Sequence, residues 1–135
     1  MRRGMTFIEL LVAIVVMIIA GVWLLGAYHA SLQLTEVSQQ TSVALSDAKD
    51  IMERIKSTPF LALSASFPDG VAGGGAPDTY GAIIGGYSLS GEQVTVRHQP
   101  SAVADPRELI VDVSWTNSHR VYRASLSTVR SQSAS

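Results

Sequence analysis

The longest apolar segment of the chain runs from Leu10 to Tyr28, and none of its nineteen residues carries a charge. As a helix rising about 1.5 Å per residue, such a segment nearly matches the ~30 Å hydrocarbon thickness of a bilayer. Arg2 and Arg3 precede it, and the next basic residue other than histidine is Lys49. This excess of positive charge on the N-terminal side predicts a single span with a cytoplasmic N-terminus and the following chain outside the cytoplasm.

The apolar segment differs from a cleaved secretory signal. Such signals have an apolar stretch of roughly 7–15 residues that ends at a small-residue cleavage site. Here the stretch is longer, and it continues through Ala27 and Ala30 into further helix-like sequence. We therefore expect residues 5–29 to be retained as a transmembrane helix.

A second pattern follows, in which apolar residues recur every three or four positions from Leu34 to Ile55. This spacing predicts an amphipathic helix over residues 30–58, with its charged residues, Asp47 among them, on the solvent-exposed face. On that face Asp50 and Arg54 are spaced to form an ion pair.

The position of the first proline predicts where this helix ends. Pro59 disfavours helical backbone in the residue before it, so the helix is expected to end at Ser57-Thr58. No proline occurs earlier in the chain. The span and the amphipathic segment can therefore form one continuous helix of about fifty residues, roughly 75 Å long.

Three runs of alternating apolar and polar residues predict strands at Gln93–His98, Leu109–Trp115 and Val121–Val129. Thr116 to His119 is typical of a turn, which would join the last two strands in a hairpin. Residues 66–91 hold eight of the eleven glycines and are predicted to form a surface loop. The expected fold class is α+β, with a long N-terminal α-helix whose apolar stripe covers a small antiparallel β-sheet.

The amino-acid composition excludes several classes of functional site. The chain has 135 residues, 47% of them apolar and 16% charged, with a formal net charge of -1 and no cysteine. Disulfides, thiolate metal sites and cysteine nucleophiles are thereby excluded. The sequence contains no G-x-S-x-G motif and no phosphate-binding loop. We therefore expect neither enzymatic activity nor a cofactor.

Histidines and arginines were the remaining candidates for binding chemistry. None of the three histidines has a neighbour at metal-ligand spacing, so we predict no metal site and place all three at the surface or at an interface: His29, His98 and His119. Five arginines fall in the predicted sheet region: Arg97, Arg107, Arg120, Arg123 and Arg130. Acidic residues interrupt them, so we do not expect nucleic acid to be a partner.

The most informative residue lies at the start of the apolar segment. Glu9 places a carboxylate at the edge of a membrane span, where an ionised side chain costs up to a few kcal/mol. If the chain were cut after Gly4, the new α-amino group of Met5 would lie about one helical turn from Glu9. A positive amine on one subunit could then neutralise the carboxylate of another in a dry bundle of helices.

The basic leader, Gly4 and the following MTFIELLVAIVV resemble the cleavage and methylation motif of type IV pilins and pseudopilins. The resemblance is specific over residues 2–28 and extends as architecture to about residue 56. It implies that a prepilin peptidase cuts between Gly4 and Met5 and methylates the new amine of Met5. It also implies that Glu9 pairs with a neighbour's amine during assembly, with Thr6 and Phe7 beside it as further assembly residues. Met5 departs from the usual phenylalanine.

The resemblance also implies partners and a location. The partners are the prepilin peptidase, other pilin or pseudopilin subunits, the inner-membrane assembly platform and the membrane itself. The chain would be a single-pass inner-membrane protein before it enters a pilus or pseudopilus filament. Five segments are expected: a leader (1–4), the transmembrane and assembly helix (5–29), the amphipathic half of the helix (30–58), an extracytoplasmic β-sheet head (59–130) and a tail (131–135).

The kind of subunit remains open between three alternatives. The hairpin formed by ELIVDVSW and RVYRASLSTV resembles that of minor pilins of the V type and of minor pseudopilin I. The lack of cysteine and of a calcium-loop spacing of aspartates also favours a minor subunit that initiates or tips a filament. The alternatives are a major pilin of the filament shaft and a membrane-anchored binding domain that never polymerises.

Overall fold

The computed structural model describes residues 6–75 and 78–132. The chain divides into two compact units, Met1–Ser38 and Gln39–Ser135. Its helical elements are α1 (Phe7–Ser57), a short 3-10 turn (Phe60–Ala62), α2 (Leu63–Ser66) and α3 (Thr79–Ile84). Its strands are β1 (Gln93–Gln99), β2 (Arg107–Asn117) and β3 (Arg120–Arg130). A long N-terminal helix and a small antiparallel sheet confirm the predicted α+β class.

The described part of the first unit consists mainly of the N-terminal part of α1, up to Ser38. From Thr6 to Glu36 every residue is exposed, including large apolar side chains such as Phe7 (79%) and Trp23 (78%). Among the residues that the structure describes, α1 is the one helix long and apolar enough to cross a membrane. Water is a poor solvent for such a surface, and a lipid bilayer is a good one.

The second unit is built on an antiparallel sheet with strand order β1-β2-β3. The predicted hairpin is confirmed, with Asn117 opposite Arg120 and a two-residue turn at Ser118 and His119. Both turn residues have positive φ, 47° and 65°, as the tight turns that match strand twist require. Strands β2 and β3 extend beyond both predicted ends and β1 beyond its C-terminal end, because pairing continues past the alternating apolar residues.

One face of this sheet and part of α1 form the hydrophobic core. Ala44, Ala48, Ile51 and Ile55 are fully buried on α1, together with the alternating β2 residues Leu109, Val111, Val113 and Trp115. The helix ends at Ser57, as its following proline predicted. The apolar stripe predicted from residue 34 is buried only from Ala44 onward, since Leu34 is 73% exposed.

The prediction of a plain surface loop over residues 66–91 is wrong. The segment contains α3, and it buries Phe67 and Tyr80, whose rings stack with centroids 6.0 Å apart. Asp78 caps α3 by accepting a hydrogen bond from the backbone N–H of Gly81 at 3.1 Å. Glycine-rich sequence favours turns, but two aromatic rings that reach the core hold this segment in place.

Two further expectations fail. Within residues 6–75 and 78–132 Arg97 and Asp112 form an ion pair at 2.6 Å, whereas Asp50 and Arg54 form none. Exposed pairs of this kind gain little free energy in water, which leaves both side chains free to extend into solvent. His98 is 4% exposed rather than at the surface, because its Nε2 lies 2.7 Å from the carbonyl oxygen of Phe67.

A side chain of α1 fixes the end of the sheet. The Oε1 atom of Gln40 accepts hydrogen bonds from Nε1 of Trp115 at 3.0 Å and from Nδ2 of Asn117 at 2.9 Å. We expect Gln40→Ala to lower the free energy of unfolding by about 2 kcal/mol, because the buried indole N–H loses its acceptor. Urea unfolding followed by near-UV circular dichroism measures this, with the exposed Gln39→Ala as control. Equal stability of the two variants would contradict it.

Candidate functional site

The N-terminus of α1 carries a reciprocal pair of hydrogen bonds. The backbone N–H of Glu9 donates to Oγ1 of Thr6 at 3.3 Å, and the backbone N–H of Thr6 donates to Oε2 of Glu9 at 3.4 Å. This is a capping box, which satisfies two N–H groups that an α-helix leaves without partners at its start. The structure therefore gives Thr6 and Glu9 a local role in starting the helix.

Sequence reasoning missed this capping box, although its signal is present. Thr6-Phe7-Ile8-Glu9 has the pattern S/T-x-x-E directly before an apolar run, which is typical of a helix N-terminus. Phe7 is 79% exposed beside it. Gly4 and Met5, the predicted cleavage and methylation positions, lie outside the described residues.

The charge of Glu9 is isolated along the helix. It is the acidic residue of the first turn, and the next Asp, Glu, Lys or Arg is Glu36. A carboxylate near a helix N-terminus is favourable, because it faces the positive end of the helix dipole. The capping box and the dipole together hold a negative charge at one end of a long apolar surface. That end can attract a cationic group from another molecule.

A second cluster lies inside the head. Asp47 of α1 and Glu92, just before β1, are buried at 9% and 7% exposure. Oε2 of Glu92 accepts hydrogen bonds from the backbone N–H groups of Ser88 and Leu89 at 3.0 and 2.9 Å. One further oxygen of each carboxyl group, Oδ2 of Asp47 and Oε1 of Glu92, is buried with no donor among the described residues.

A proton on Asp47 would give these two buried carboxyl groups a hydrogen-bond donor. Two ionised carboxylates can only accept hydrogen bonds, whereas a protonated carboxyl group can also donate one. Burial raises the pKa of Asp47 from its ordinary 3.8 to about 6, and the nearby carboxylates of Glu92 and Asp50 add to the rise. A protonated Asp47, populated below about pH 6, can donate a hydrogen bond to Glu92.

The prediction that Asp47 lies on the exposed face of α1 is therefore wrong. The signal that could have found it is spacing, because Asp47 follows Ala44 by three positions and precedes Ile51 by four. That places it on the buried stripe of the helix. The sequence prediction assigned Asp47 to solvent because its side chain is charged, although its spacing matches the buried stripe. Its burial is explained by its partner Glu92, which lies 45 positions away in the chain.

Arg107, one of the arginines of the sheet, is buried. Arg107 is 3% exposed, with its guanidinium 4.3 Å from the centre of the Phe60 ring, and it donates to the carbonyl oxygens of Ala102 and Phe60. Burial lowers the pKa of Arg107. Arg107 therefore ties the loop before β2 to the segment after α1 instead of offering charge to a ligand.

The described residues contain no group of three or more histidine, aspartate or glutamate side chains able to hold a metal ion. A cleft between the end of α1 and the glycine-rich segment is lined in part by Arg54, Phe67 and Thr79. It brings together no nucleophile with a base, so its lining supplies no recognisable reaction chemistry.

Fold and site together define an α+β protein in which α1 can span a membrane and a carboxylate caps that helix. Comparisons with protein-family models, with curated proteins and with solved structures found no match. The function is therefore argued from the residues of this chain.

Proposed function

We propose that this chain is a minor pilin or minor pseudopilin. Such a subunit helps to initiate a filament of the type IV pilus or type II secretion class, or forms part of its tip. It enters the inner membrane through α1 with its head outside the cytoplasm. A prepilin peptidase then removes residues 1–4 and methylates the amine of Met5. Finally, the apolar half of α1 leaves the lipid and packs among the helices of other subunits.

The observation that carries the proposal is the position of Glu9. It caps the first turn of a helix whose next 26 residues carry no Asp, Glu, Lys or Arg. An ionised carboxylate at the edge of lipid costs free energy, which a cationic partner offsets when both are removed from water. A neighbour's N-terminal amine supplies that charge without adding a basic side chain to the apolar helix.

The exposed apolar surface of α1 supports the same mechanism. Large side chains such as Ile8, Met17 and Leu24 are exposed by 74%, 78% and 73%. Lipid and the helices of other subunits both cover this surface, so the chain can move from one environment to the other. Ala13, Ala20 and Ala27 recur every seven residues and allow another helix to approach closely.

A second candidate is a membrane-anchored head that never polymerises. The capping box favours it specifically, because hydrogen bonding to Thr6 gives Glu9 a role that needs no second subunit. The state of the mature N-terminus distinguishes the two candidates, because only a processed chain exposes the amine that assembly requires.

Mass spectrometry of the chain isolated from membranes tests the proposal. We expect the mature protein to begin at an N-methylated Met5, and we expect Gly4→Val to leave residues 1–4 attached. Gly21→Ala is the matched control, because an added Cβ there meets no atom within 4 Å. An intact Met1 on the wild-type protein, or a trimmed Met5 in Gly4→Val, would contradict the proposal.

The ratio of this chain to other subunits in purified filaments separates a minor from a major role. A minor subunit is expected at a few copies per filament. Equal or greater abundance than every other subunit would assign it to the shaft.

A further inference from the structure

The two edges of the sheet differ in what covers them. At the β1 edge, the backbone N–H groups of Gly70 and Gly73 donate to the carbonyl oxygens of Val96 and Val94 at 2.8 and 2.9 Å. Within the described part of the chain, β3 pairs with β2 alone. An eleven-residue edge strand is therefore left open, and such edges are templates for pairing with another chain.

The register identifies the backbone groups on the open edge. The hairpin closes on the pair Asn117–Arg120, and hydrogen-bonded and non-hydrogen-bonded pairs alternate from there. The N–H and C=O groups of five exposed residues consequently point away from β2: Val121, Arg123, Ser125, Ser127 and Val129. An added strand could form a regular ladder with them.

The side chains of β3 define two different faces for such a strand. Tyr122 and Leu126 point toward the core and are only partly buried, so they end the core at this edge. Arg123 lies on the opposite face, across from Ser114. Its diagonal neighbour Asp112 already accepts a hydrogen bond from Arg97 at 2.6 Å.

The charge of β3 limits what can pair with it. The strand contains three arginines, Arg120, Arg123 and Arg130, and no carboxylate. Pairing β3 with β3 of a second copy in full antiparallel register would set Arg120 of each strand opposite Arg130 of the other and add no acidic residue, which is unfavourable. The β1 edge of a second copy is already covered by Gly70 and Gly73.

We propose that the open edge of β3 binds an extended acidic segment of a different protein chain by strand addition. Alternate apolar residues of that segment cover Tyr122 and Leu126, and its carboxylates face Arg123 on the other side. Main-chain hydrogen bonds supply affinity in this mode of recognition, and the alternating side chains supply specificity. The proposal rests on the edge and its charges, and it is independent of filament assembly.

Hydrogen exchange of the full chain in detergent micelles, followed by NMR, tests the proposal. The probe is an eleven-residue peptide of alternating valine and glutamate, compared with a matched valine–lysine peptide and with the acidic peptide carrying a central proline. Of the three peptides, we expect only the uninterrupted acidic one to slow hydrogen exchange, at least tenfold, at the five β3 amides that point away from β2. Unchanged exchange with the acidic peptide, or equal protection by the lysine peptide, would overturn the proposal.

Two further measurements address the role of charge and of a second copy. Arg123→Glu should transfer the preference to the lysine peptide, whereas Lys49→Glu makes the same charge change on α1 and should keep the acidic preference. Retained acidic preference in Arg123→Glu would overturn the proposal. Protection that rises with the concentration of the chain alone would identify a second copy as the occupant and overturn it too.

Discussion

Glu9→Gln is expected to lower incorporation of the processed chain into filaments at least tenfold while leaving α1 intact. Glutamine still accepts a hydrogen bond from the backbone N–H of Thr6, since glutamate and glutamine serve equally in a capping box. It carries no negative charge, so the amine of a neighbouring subunit is left uncompensated in an apolar bundle. Breaking a buried ion pair in this way costs about 3–5 kcal/mol, more than a tenfold effect requires.

The measurement compares the amount of chain in purified filaments with the amount of processed chain in the membrane. Glu53→Gln is the matched control, because Glu53 is exposed on the second unit and should incorporate normally. Thr6→Ala removes the hydroxyl that accepts from the N–H of Glu9 and keeps the charge. Capping would be the essential role of Glu9 if Thr6→Ala failed to incorporate and Glu9→Gln incorporated normally.

Asp47→Asn is expected to stabilise the head at pH 7.5 by about 3 kcal/mol and to have little effect at pH 3.5. The pKa of Asp47 is raised in the folded state from its ordinary 3.8 to about 6, mainly by burial. The folded state therefore holds the proton more tightly than the unfolded chain does. Stability from this group is fully present below about pH 3.8 and is lost as the pH rises to about 6 and above.

An asparagine removes that loss because its amide stays uncharged at every pH and has N–H groups that can donate to a carboxylate. The size follows from the rise in pKa, since each factor of ten in proton affinity is 1.36 kcal/mol. Urea unfolding of wild type and variant at pH 3.5, 5 and 7.5 measures the difference, and Glu53→Gln serves as the exposed control. A variant no more stable than wild type at pH 7.5 would show that folding does not raise the pKa of Asp47.

The sequence predicts the importance of Glu9 but not the burial of Asp47. Glu9 stands out because it interrupts an apolar segment at its edge, so local composition is enough to single it out. Its hydrogen bonds with Thr6 are also local, spanning three residues. Asp47 is one of several acidic residues on an amphipathic helix, and its partner Glu92 lies far along the chain. The local pattern of apolar and polar residues predicts that such a charged residue is exposed to solvent.

Periodicity was sufficient to predict most secondary structure. The continuous helix, its end near Pro59, the three strands and the hairpin turn all follow from interactions within a few residues. The glycine-rich segment was harder, because its order depends on Phe67 and Tyr80 reaching a core built by other elements. Glycine content reports the freedom of the backbone and contains no information on distant packing.

The sequence by itself determined the apolar surface of α1, the acidic residue at its start and the strand alternation of the sheet, because each depends on neighbours within one or two turns. Only the tertiary structure decided which polar groups are buried and which edge is open. Arg107 is enclosed by Phe60 and Ala102, and Asp47 lies beside Glu92, while β3 is paired on one side only among the residues that the structure describes. Those outcomes depend on contacts between segments that are distant along the chain, and burial sets the free energy of a charge only once such contacts form.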